Sequence, residues 1–158
     1  MKNNFRNFAK FLTYFVILIQ LSFISNMTVA ADVEYLNSPA VESLGLPFSE
    51  AVRVDDTVYL SGQVGNLPGT FKLIDGGIKT ETKQTLENIS ATLKRHDASL
   101  QELVKCTIFL ADIKEWPQMN EVYKTFFSEH YPARSAIAGS GLALDARVEI
   151  ECIAVLKN

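Results

Sequence analysis

Residues 148–155 read VEIECIAV, and that alternation leaves the chain little structural freedom. Val148, Ile150, Cys152 and Ala154 fall on one side of an extended backbone, Glu149 and Glu151 on the other. Such a strand needs a sheet with one covered face, and the cover must come from elsewhere in the chain. Two upstream stretches have the spacing to provide it. In KTETKQTLENISATLKRHDAS (79–99), Leu86, Ile89 and Leu93 recur at helical intervals on a polar surface. Glu81 near its start and Lys94, Arg95 and His96 near its end suit the helix macrodipole. EWPQMNEVYKTFFSEHYP (115–132) predicts a second helix, with Pro117 in the first turn, Met119, Val122 and Phe126 facing inward, and Pro132 as its stop.

The remaining segments read as strands and turns. AVRVDDTVYLSGQV (51–64) is a hairpin around Asp55-Asp56, its second run ending at Gly62. GNLPGT is a loop, and FKLIDGGI a short strand closed by a Gly-Gly turn. LVKCTIFLAD (103–112) is a buried strand, and ARSAIAG and ARVEIECIAVL close the chain as two more. Residues 32–47 form a polar lead-in without clear period. The order hairpin, helix, strand, helix, two strands predicts a two-layer α+β domain, a mostly antiparallel mixed sheet with two helices on one face. Phe109, Ile153 and Val155 would stand on the open face of a lone monomer, so oligomerisation through that face is expected.

The first thirty residues are a different kind of sequence. Lys2, Arg6 and Lys10 are their only charges, followed by the apolar run FLTYFVILIQLSFIS and then NMTVAAD. A basic head, an apolar middle and small residues before a polar start make the pattern of a secretory signal peptide, cleaved after Ala30 or Ala31. The expected division is a signal peptide over 1–30 and one domain over 31–158, periplasmic or secreted. An uncleaved anchor is the alternative, although the run is short for a span and Gln20 interrupts it. The chain carries 15 Lys and Arg against 18 Asp and Glu; losing the three basic residues of 1–30 leaves 12 against 18, a net charge of about −6. That balance argues against nucleic acid and anionic membrane surfaces as partners. Cys106 and Cys152 sit in apolar strand-like runs. In an oxidising compartment they could pair; the simpler reading is two buried, inert thiols, and a count of two does not choose.

Few residues offer chemistry. His96 and His130 have no partner at metal-ligand spacing, so no metal is expected. No Gly-rich loop links a strand to a helix, and Ser49, Ser61 and Ser135 lack a suggestively placed histidine. The NIS sequence at 88–90 matches a glycosylation acceptor but falls inside a helix, and is discounted. Arg134, in an apolar setting, is the exception, because a guanidinium is costly to bury unless an anion meets it. Glu149 on the last strand could be that anion, in a structural ion pair. Alternatively Arg134 clamps a ligand carboxylate and Glu149 activates a water. Spacing alone leaves both open.

The signature PARSAIAGSGL, followed five residues later by VEI, resembles that of the RidA/YjgF family of enamine/imine deaminases. LPFSEAV, LSGQV, TLENISATL, VKCTIFLAD and MNEVYKTFF resemble its other blocks in the right order, covering about residues 40 to 156. The resemblance implies a chorismate-mutase-like fold and a homotrimer with ligand clefts between subunits. It matches Arg134 to a carboxylate-binding arginine and Glu149 to a water-positioning glutamate. Gly62 would supply backbone contacts, while Trp116 and Asn120 match cleft-lining positions from the neighbouring subunit. Phe48 stands where active members commonly have a tyrosine, and Ala136 where many have a cysteine, which excludes thiol catalysis. The implied reaction hydrolyses short 2-imino acids, formed from enamines such as 2-aminoacrylate, to 2-keto acids and ammonia, without metal or organic cofactor. An exported member needs an imine source outside the cytoplasm, such as an amino-acid oxidase. The runner-up is a non-catalytic trimeric module that binds small carboxylates or acts as a holdase. A ribonuclease activity, also attached to this family, is disfavoured by the acidic balance and the export signal.

Overall fold

In the computed structural model, which describes residues 30–156, the order is β1 (Val33–Leu36), α1 (Pro39–Glu42), β2 (Ala51–Val54), β3 (Thr57–Val64), α2 (Gly77–Lys94), β4 (Leu103–Leu110), α3 (Trp116–Tyr123), β5 (Ala133–Ala138) and β6 (Val148–Val155). The expected signal peptide lies outside the described residues. The six strands form one sheet in the order β1-β2-β3-β6-β4-β5, antiparallel throughout except for the β4–β5 pair. This is the α+β arrangement that the alternation in β6 requires. Val148, Ile150, Cys152 and Ala154 are buried with Leu86, Ile89 and Leu93 of α2 and Met119 of α3, while Glu149 and Glu151 leave from the opposite face.

The hairpin closes where expected, Val54 opposite Thr57, with Asp55 in the left-handed region at φ 50°. Aspartate tolerates that conformation better than most residues. β3 continues past Gly62 to Val64, and a register shift between Leu60 and Gln63 turns this part of the strand beside β6. In α2 the hydroxyls of buried Thr82 and Thr85 donate to the carbonyls of Ile78 and Glu81, so neither is buried unpaired. Glu81 does not decorate the helix start; it is buried, and a carboxylate oxygen accepts the Arg147 N–H at 2.8 Å. The Asn88 amide donates to the carbonyls of Val64 and Asn66 at 3.1 and 3.0 Å, committing the group that glycosylation would need.

Several expectations are corrected. The lead-in holds a strand and a third helix, β1 and α1, each of four residues and too short to show a period. FKLIDGGI contributes a single bridge between Leu73 and Asn66, not a strand. The second long helix stops at Tyr123 and tightens into a 3₁₀ turn over Lys124–Phe126. Its inward residues are therefore Met119, Tyr123 and Phe127, and Val122 and Phe126 are only half-buried. Cys106 and Cys152 are not free thiols: they lie directly opposite on β4 and β6 and form a disulfide. Among the described residues no helix is long and apolar enough to cross a membrane.

Candidate active site

Arg134 lies on β5, in register with Cys106 of β4, which is itself in register with Cys152 of β6. In-register side chains share a face, so Arg134 leaves the sheet on the side of the helices. There it meets α3. Its Cζ stands 4.7 Å from the ring centre of Tyr123 and 5.9 Å from that of Trp116, within the range of cation–π attraction. Among the described residues the Arg134 guanidinium has no ion pair and no hydrogen bond. Aromatic faces orient a guanidinium without neutralising it, so its donors stay available to an anion. Tyr123 is 3% exposed and its hydroxyl has no partner. Burial pushes that hydroxyl up to about 12, with Arg134 opposing, so the phenol stays neutral and can donate. Hollows of about 440 and 380 Å³ flank Arg134; Trp116 and Ala136 line the first, and Asn120 and Tyr123 the second.

Glu149 occupies the opposite face. It pairs in register with Val64 of β3 and Phe109 of β4. Its carboxylate fills the space above Gly62, where a Cβ would come within 2.0 Å of Oε1. Glycine at 62 is thus what lets the carboxylate lie against the bulged end of β3. Burial raises the Glu149 carboxyl above its ordinary value, and the neighbouring Glu151 charge adds to the effect. A carboxylate so placed is a better base towards water than a solvated one. It opens on a cavity of about 320 Å³ that is also lined by Phe48 and Gly62.

The residues singled out from the sequence therefore gather in two places. Arg134, Trp116, Asn120 and Ala136 form one half-site; Glu149, Phe48 and Gly62 form the other. Arg134 and Glu149 do not meet within one chain, either as an ion pair or across a shared ligand. β4 lies between β5 and β6, and the two side chains leave from opposite faces. The same geometry removes the ion-pair reading for a single protomer. Trp116 and Asn120, expected across a subunit boundary from Arg134, share its side of the same chain. Tyr123 was absent from the sequence-based site. The signal was present, since Trp116 and Tyr123 are seven residues apart, on one face of a helix.

These features define an α+β domain with ligand-sized clefts on both faces of its sheet. The family model described as Endoribonuclease L-PSP matches residues 38–156, and the chain belongs to that family, the RidA/YjgF family. A mouse 2-iminobutanoate/2-iminopropanoate deaminase is 45% identical over 109 residues, covering 69% of this chain and 81% of its own. The human protein of the same name is 41% identical over 109 residues, covering 69% and 80%. Among solved structures, RidA from the Antarctic bacterium Psychrobacter sp. PAMC 21119 superposes with a TM-score of 0.67 at 39% identity, covering 70% of this chain and 89% of that one. E. coli TdcF with bound serine superposes with a TM-score of 0.66 at 33% identity, covering 71% and 90%.

Proposed function

We propose that the chain catalyses hydrolytic deamination of 2-imino acids, and of the enamines that tautomerise to them, in an exported homotrimer. The observation that carries the reading is Arg134, a half-buried guanidinium framed by Tyr123 and Trp116 and met by no carboxylate of the described chain. Relatives named for imine deamination, at 41% to 45% identity, point to the same reaction. A solved relative that holds serine supports a site for small molecules bearing a carboxylate.

The substrate's carboxylate docks on Arg134, and its protonated imine carbon faces Glu149 of a second copy. Glu149 takes a proton from water as the water oxygen bonds to that carbon and the C=N π pair moves to nitrogen. Glu149 then returns the proton to nitrogen, the C–N bond breaks as the C=O bond forms, and the hydroxyl proton leaves with ammonia as ammonium. Holding both reactants in place is most of the catalytic task, because a protonated imine is already electrophilic.

Self-association joins the two half-sites, since neither holds both groups. Exposed Tyr59, Ile137 and Val155, with half-buried Phe109 and Ile153, leave an apolar surface on the face opposite the helices, and this supports a trimer. The Cys106–Cys152 disulfide suits an oxidising compartment and so supports export. The mature N-terminus should then be found at Ala31 or Asp32 in the periplasmic or secreted fraction.

A second reading, a non-catalytic carboxylate-binding trimer, is favoured by Phe48, which brings no hydroxyl to the Glu149 cavity. One assay separates the two. Imines generated in situ from amino acids by an oxidase should release keto acid faster with wild type than with Arg134→Ala. Equal release by both proteins would contradict the deaminase, and carboxylate binding without acceleration would support the second reading.

A further inference from the structure

The apolar sheet face opposite the helices carries charge among its hydrocarbon. Lys105 of β4 stands in register with Ile153 of β6, which is itself opposite Tyr59 of β3. In the next row Glu151 of β6 lies opposite Thr107 of β4. Together these five side chains line a shallow hollow. Among the described residues of β4, β5 and β6, Lys105 is the one cation on this face, and Glu149 and Glu151 are the two carboxylates. Glu149 belongs to the cleft beside Gly62, which leaves Glu151 as the carboxylate in the middle of the face.

Within one chain these two charges are turned apart. β4 lies between β6 and β5, and Lys105 reaches towards β5, where its Nζ donates to the Ser135 hydroxyl at 3.0 Å. Glu151, on the β6 side, has no hydrogen bond and no ion pair among the described residues. Strand spacing would allow a diagonal pair, because Glu151 is two residues from the position opposite Lys105. The protomer does not form it.

Water meets both charges in a lone protomer, where Lys105 is half-buried and Glu151 exposed. Self-association through this face takes that water away. A charge enclosed without a partner is strongly destabilising, while an opposite charge brought against it offsets much of the penalty. The two signs also select an alignment, since like charges placed together are rejected. In a closed ring the contact runs head to tail, so Lys105 of each copy can meet Glu151 of the next with no charge left over. Charge complementarity thus fits this face to a second copy of the same chain.

Resting on the trimer of the proposed function, we infer that Lys105 of one copy pairs with Glu151 of the next across the open sheet face. This ion pair fixes the alignment in which Arg134 and Glu149 of neighbouring copies complete the site.

The test is charge reversal, read by light scattering and by imine hydrolysis over a dilution series. Lys105→Glu and Glu151→Lys should each weaken self-association by about a hundredfold or more, because each sets like charges against one another. Hydrolysis should fall on dilution in step with the loss of trimer. The double variant Lys105→Glu/Glu151→Lys exchanges the two signs and restores the attraction. It should assemble within about tenfold of wild type and regain hydrolysis, a rescue that separate structural roles for the two residues would not give. Single variants that assemble as tightly as wild type would overturn the inference and leave the trimer standing. A double variant that assembles no better than the singles would overturn it equally. A wild type that remains monomeric would overturn the trimer and this inference with it.

Discussion

Arg95 and Arg134 are both partly covered arginines at the helix side of the sheet, and their surroundings could hardly differ more. Arg95, at the end of α2, pairs with Glu50 and with the Thr92 hydroxyl. Glu50 is 7% exposed, and it also accepts from the Thr92 hydroxyl at 2.6 Å and the Ser38 N–H at 3.0 Å. Burial would raise the Glu50 carboxyl, but those hydrogen bonds and the Arg95 charge outweigh it and hold the carboxyl below its ordinary value. Arg134 has two aromatic faces and no anion. The first arginine meets an anion built into the fold and fastens the segment before β2 to α2. The second is oriented but not neutralised, which is the state a carboxylate receptor needs before its ligand arrives.

Removing Arg134 should separate function from stability. Arg134→Ala is expected to lower kcat/KM for imine hydrolysis by about 10-fold to 150-fold, the equivalent of one charged hydrogen-bonded contact. Its unfolding free energy, measured in urea, should fall by about 1 kcal/mol, the cost of losing the contacts with Tyr123 and Trp116. A large loss of stability would instead show that Arg134 has a structural partner. The opposite is expected at the other arginine. Glu50→Gln should cost about 2 kcal/mol of stability at neutral pH. Because the Glu50 carboxyl is lowered in the fold, its contribution is present above about pH 4.5 and is lost as pH falls through the folded value. Wild type and Glu50→Gln should therefore converge in stability in acid. The smallest effect concerns the base. With Glu149 raised, activity should fall on the acid side at a pH above 4.5, as Glu149 gains its proton. Glu151→Gln removes a neighbouring negative charge and should move that limb slightly downward.

Much of the fold was legible because it depends on local periods. The alternation in β6, the hairpin at Asp55 and the buried stripe of α2 each follow from side-chain spacing alone. What was not legible depends on contacts distant in sequence. β5 and β6 follow one another in the chain and read as neighbours, yet β4 inserts between them and takes β5 in parallel. The register across the three strands, Arg134 with Cys106 and Cys106 with Cys152, puts Glu149 on the opposite face from Arg134. The inward face of α3 was misjudged by one position, because from Met119 a stripe through Tyr123 and Phe127 is as compatible with helical spacing as one through Val122 and Phe126. The disulfide depended on register, which two cysteines in two strands do not specify until the strands are paired. The chemical groups were found from sequence; their partition into two half-sites was not.

That partition gives the account its sharpest test. Arg134→Ala and Glu149→Gln should each keep no more than about a tenth of wild-type activity, and each leaves one half-site intact. Co-refolding the two variants in equal amounts would create trimers in which an intact Arg134 of one copy faces an intact Glu149 of another. At random mixing about one quarter of the sites would be complete, so imine hydrolysis should recover to roughly a quarter of wild-type activity. Recovery to that level is the predicted result, and a mixture no more active than the separate variants would contradict a site shared between copies.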